Sequence, residues 1–134
     1  QKVSWRQVQR RLTLEQVWEE PHAGGRLQGM QLPGDPTDKW NGNHTLRIWT
    51  PPGYDGARAK QTGELYPVLY MNDGRDMFQD GASTNPEDKS WRIAFAAAAL
   101  IQCGILEPFV IVAIDNQHHS LQYTPYAPGP GFDA

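Results

Sequence analysis

The residues whose types could do chemistry sit at the ends of two apolar runs. Asn72, Asp73 and Gly74 close the run Tyr66–Met71, and Asp115 and Asn116 close Pro108–Ile114. In α/β sheets, ligands gather at the carboxyl ends of strands. Asp115 and Asn116 are therefore expected either as a wall of a substrate pocket or as a polar strand cap that bonds the following loop. Asn72-Asp73-Gly74 is a turn signature, with Gly74 expected at positive φ. His118-His119 suggests a base or a ligand pair, but adjacent loop residues rarely converge on one ion, so a solvated pair is expected. The carboxylates Asp73, Asp76, Asp80, Glu87 and Asp88 depart from the D-x-[DN]-x-[DN]-G spacing of a calcium loop and are expected on a solvated surface. No metal site and no cofactor is expected. A serine nucleophile elbow, G-x-S-x-G, does not occur; Gly81-Ala82-Ser83-Thr84-Asn85 lacks the final glycine.

Those residues need strands and a helix to position them. Val8, Leu12, Leu14 and Trp18 alternate with polar residues, which predicts a half-exposed strand ended by Pro21 and Gly24-Gly25. From Leu27 to Gly42 the density of Gly, Pro and Asp predicts a long excursion or a turn with a short strand. His44–Thr50 alternates and stops at Pro51-Pro52-Gly53, a strand with a firm end. Gly56–Gly63 is polar and expected as a surface loop, as is Gly81–Lys89. Tyr66–Met71 and Pro108–Ile114 are nearly continuous apolar runs, the pattern of parallel strands buried on both faces. Between them, Ser90 is expected to cap a helix over Trp91–Cys103 that Gly104 closes, with Cys103 buried. Strand, helix, strand in this form predicts a βαβ unit in an α/β fold.

Composition narrows the function classes. The chain has 134 residues, a formal net charge of −3 and 12 Lys+Arg, too few and too scattered for phosphate-backbone binding. Its longest apolar stretches, Ala94–Ile101 and Phe109–Ile114, fall far short of the roughly 20 residues that span a bilayer. One cysteine excludes an intrachain disulfide. Asn43-His44-Thr45 is a formal glycosylation sequon. The chain opens at Gln1, which suggests a processed product or a piece of something longer.

Three segments, in order, resemble one family. Arg47-Ile48-Trp49-Thr50-Pro51-Pro52-Gly53-Tyr54 is similar to its R-x-W-x-P-P-G-Y strand end. Tyr66 to Phe78 is similar to its Y-P-V-L-Y-M-x-D-G-Q-N-x-F segment. Gly104 to Asn116, followed by Tyr123-Thr124-Pro125-Tyr126, is similar to its G-x-I-x-P-x-I-V-V-x-I-D-N … E-Y-x-P-Y segment. The family is that of the esterases of the α/β-hydrolase superfamily, which includes enterochelin, feruloyl and acetylxylan esterases, S-formylglutathione hydrolases and mycolyltransferases. The resemblance covers roughly residues 8–134. It implies that residues 1–134 are the N-terminal portion of one α/β-hydrolase domain, about four strands with a βαβ unit, incomplete as a stand-alone domain. It further implies a serine carboxylic-ester hydrolase whose triad lies outside this chain, with no catalytic residue within it. The backbone N–H groups of Asn72, Asp73, Gly74 and Arg75 correspond to the family's oxyanion loop. Arg75 and Asp76 stand where Gln and Asn are commoner, which changes the pocket lining. The implied partner is an ester substrate where the whole enzyme is present. The alternative is an inactive esterase-like accessory subunit, with protein partners covering an exposed edge at Tyr66–Met71.

Overall fold

The computed structural model describes residues 14–34, 44–80 and 89–115. They form a mixed α/β fold around one five-stranded sheet. The strands are β1 (Glu15–His22), β2 (Gly25–Leu32), β3 (His44–Thr50), β4 (Val68–Met71) and β5 (Val110–Ile114), and the helices are α1 (Gly56–Thr62), α2 (Gly74–Met77) and α3 (Ile93–Gln102). The sheet order is β1-β2-β3-β5-β4. β1, β2, β3 and β5 pair antiparallel in succession, whereas β4 runs parallel to β5. The chain thus leaves β3, forms β4 one place beyond, and returns through α2 and α3 to insert β5 between them.

Because side chains alternate across a strand, the registers define two faces. Leu27, Trp49, Ile111 and Leu69 share one row, and Trp18, Gly29, Arg47, Ala113 and Met71 share the next. This face carries the core: Leu27, Trp49, Ile111 and Ala113 pack with Met77, Phe78, Ala94 and Ala97 from the α2–α3 region. Trp49 is wholly buried, and its indole Nε1 donates to the His22 carbonyl at 3.0 Å, which ties the β1–β2 hairpin end to the centre of the sheet.

Several local expectations need correction. Pro21 does not end β1: it pairs with Arg26 inside the hairpin, where an outer strand tolerates a residue without an N–H. A register shift between Gln16 and Trp18 leaves Val17 exposed and turns Trp18 toward the core face. Of the Leu27–Gly42 stretch expected as an excursion or a turn with a short strand, Leu27–Leu32 belongs to a full eight-residue strand, Gly25–Leu32, and residues 35–42 lie outside the described residues. The strand's glycine misled the pattern, because Gly29 is there to make room: a Cβ would run into the Trp18 indole. Gly56–Thr62 is a short helix instead of a loop. The Asp55 carboxylate caps it through the Arg58 N–H at 2.9 Å, and Gly63 at φ 73° ends it.

β4 is parallel, as its composition predicts, but it is not buried on both faces. Val68, Leu69 and Tyr70 are all exposed, Tyr70 by 73%, because the strand sits at the end of the sheet. α3 starts at Ile93, two residues later than expected. Ser90 is not its N-cap; that place falls to Arg92 at φ 50°, with the Ser90 hydroxyl accepting from the Arg92 N–H at 3.3 Å. Gly104, at φ 71°, closes the helix as predicted. Cys103, the C-cap residue of α3, is exposed and not buried as expected. No helix among the described residues is long and apolar enough to cross a membrane.

Candidate functional site

The two parallel strands end together. β4 ends at Met71, which is in register with Ala113 of β5, so the turn Asn72-Asp73-Gly74-Arg75 and the residue Asp115 emerge side by side. At the turn, Asp73 carries the positive φ, 56°, not Gly74 as expected. Aspartate is among the few non-glycine residues that tolerate the left-handed region. Gly74 is needed for a different reason. It is buried, and a Cβ there would meet Asp115 Oδ1 at 2.5 Å and the Asp115 backbone nitrogen at 3.1 Å. Only a residue without a side chain lets the turn approach the end of β5 so closely.

Asp115 is 3% exposed. Its carboxylate receives two parallel hydrogen bonds from Arg47, Nε to Oδ1 at 2.7 Å and Nη2 to Oδ2 at 3.0 Å. The planar guanidinium fork matches a carboxylate in this bidentate way, which a lysine ammonium does not. The Arg47 side chain is 12% exposed, and its guanidinium lies 5.6 Å from the centre of the Trp18 ring. Arg75 approaches the same carboxylate, with Nε 3.7 Å from Oδ2, and stays half exposed. Two desolvated charges depend on each other here. Removing one partner of such a pair costs about 3–5 kcal/mol, because the other charge is left buried alone.

Of the residues singled out from the sequence, the structure brings together Asn72, Asp73, Gly74, Arg75 and Asp115. The Asp115 carboxylate is engaged by arginine side chains, and its backbone N–H donates to the Thr45 carbonyl at 2.8 Å. Asn116, His118, His119 and the Gly81–Asn85 string lie outside the described residues. Among the described residues no group of acidic, histidine or cysteine side chains could hold a metal ion. Asp80, expected as part of a solvated acidic surface, binds the Ser90 N–H at 2.8 Å and the Arg92 guanidinium at 2.6 Å.

Sequence reasoning overlooked Arg47 and Trp18. The signal was present in period-two arithmetic: Arg47 is two residues from Trp49, so a strand that buries Trp49 points Arg47 at the same core face, where a charge needs a partner. A cleft of about 520 Å³ lined by Asp55, Arg58, Glu64, Tyr66 and Glu107 opens beside Pro67 and Pro108. Those prolines precede β4 and β5, so the cleft lies at the opposite end of these strands from the 72–75 turn.

No family model, no curated protein and no solved structure matches the chain.

Proposed function

We propose that this chain carries the N-terminal half of the sheet of a serine carboxylic-ester hydrolase, with the nucleophile, the histidine and the acid outside residues 1–134. The observation that carries the proposal is the junction of the 72–75 turn with Asp115 at the carboxyl ends of neighbouring parallel strands. The strand order is compatible with it: if β4 and β5 take the places of the third and fourth strands of the α/β-hydrolase sheet, β5 lies beside β4, as the fourth strand lies beside the third in that sheet. In such an enzyme a serine hydroxyl attacks the acyl carbonyl while a histidine takes its proton. The carbonyl oxygen then gains negative charge, and backbone N–H groups of the 72–75 turn would donate to it. Fixed donors of this kind stabilise the transition state without reorganising at the moment of reaction.

The test is the intact mass of the protein isolated from its source, read together with hydrolysis of p-nitrophenyl acetate. The proposal expects a mass above 15.1 kDa and turnover abolished by a serine-directed fluorophosphonate. A mass of 15.1 kDa with stoichiometric protein partners and no turnover would replace it with an accessory subunit.

A further inference from the structure

The turn that follows β4 runs directly into a short helix. α2 is four residues long, its N-cap Asp73 makes no side-chain capping bond, and β4 is the outermost strand. What lies directly against the turn is Asp115, 2.5 Å from where a Gly74 Cβ would stand. Asp115 is held by Arg47, and Arg47 lies against Trp18. β1, β3 and β5 therefore all contribute to one chain of contacts that ends at the turn.

We infer that Asp115 is a positioning residue for the 72–75 turn, with Arg47 as the strut that fixes its carboxylate. The physical basis is directional. A bidentate arginine fork sets both the distance and the plane of the carboxylate, and a buried carboxylate so fixed presents Oδ1 as a hard wall to the glycine. Arg75, reaching the same carboxylate from the turn itself, closes the arrangement from the other side. The turn's backbone donors are then set by the centre of the sheet and not by the edge strand that precedes them. This deepens the esterase proposal, on which its catalytic meaning rests, but the positioning itself is a structural statement with its own readout.

The experiment is backbone ¹⁵N relaxation on the full chain, comparing the wild type with Asp115→Asn and Arg47→Lys. Both variants keep a polar side chain of similar size, and Arg47→Lys keeps the charge while losing the fork. The expected result is a drop in order parameter at Gly74 and Arg75, from about 0.85 toward 0.6, with Gln28 and Ile48 in the sheet centre unchanged. Unchanged values at Gly74 and Arg75 in both variants overturn the inference, as does an equal loss across the sheet, which would mark Asp115 as general ballast. If one variant fails to fold, the other decides. Ester hydrolysis is measured separately, on the protein as it occurs in its source carrying the same two substitutions, with a fall in kcat at constant KM expected. A selective loss of order in a protein that hydrolyses no ester would sink the esterase proposal and leave the positioning role standing.

Discussion

His22 shows how one side chain couples the hairpin to the helical layer. Its ring meets Phe78 edge-on at 6.2 Å and Phe95 at 5.0 Å, and its Nε2 is buried without a hydrogen-bond partner among the described residues. Burial holds the imidazole below the usual histidine range, against a weaker opposing pull from the Glu20 carboxylate. The folded state therefore binds this proton less readily than the unfolded chain does. Its contribution is fully present above the unfolded value near 6.5 and is lost as pH falls from there toward the folded value. The urea midpoint of the wild type is expected to fall between about pH 7.5 and about pH 5.5. In His22→Phe, which keeps a ring among the same neighbours, the fall should be smaller. Equal falls in the two proteins would remove His22 from the account.

α3 illustrates a helix whose start is held from outside itself. Its N-cap residue, Arg92, makes no side-chain cap, and φ 50° is an unfavourable conformation for arginine. The conformation persists because Asp80 holds both the Ser90 N–H and the Arg92 guanidinium. These bonds pull the Asp80 carboxyl down to about 2 from its usual 3.8, the Arg92 bond first and the Ser90 bond second. The latch is thus complete above the unfolded value and opens as pH falls through the folded one. Asp80→Asn is expected to speed amide exchange across Ser90–Phe95 several-fold while Ala98–Gln102 stays protected. Uniform acceleration along α3 would mean that packing, not the latch, sets the helix start.

At the scale of the molecule, the described residues leave apolar surface open. β4 pairs on one side only, with Val68, Leu69 and Tyr70 exposed, and Trp91, Phe95 and Leu100 are exposed at the start of and along α3. A strand edge of this kind is a template for pairing with another chain unless charge blocks it. The 134-residue chain is expected to show a mean mass that rises with concentration in sedimentation velocity, and Tyr70→Lys should suppress the rise. A wild type that stays monomeric across the range would show that the edge is covered in solution.

Particular residues show how much was legible in advance. Thr50-Pro51-Pro52-Gly53 stops β3 where local chemistry says it must, and Gly104 closes α3 for the same kind of reason. The apolar runs around Leu69 and Ile111 announced parallel strands, and they pair as such. The strand stop, the helix end and the apolar runs themselves were set locally, by backbone restriction, capping and side-chain period, which act over a few residues whatever the rest of the chain does. Gly29 and Gly74 were misread because their need arises from Trp18 and Asp115, eleven and forty-one positions away. The same holds for Arg47: its partner lies 68 residues on, and only pairing β3 with β5 gives its charge a place in the interior. By itself the sequence determined where β3 stops, where α3 ends and that the two apolar runs are strands. The tertiary structure decided which strand lies at the edge, which glycine serves space and which serves φ, and that Asp115 faces arginine. Those outcomes depend on contacts across the sheet, which no local pattern encodes.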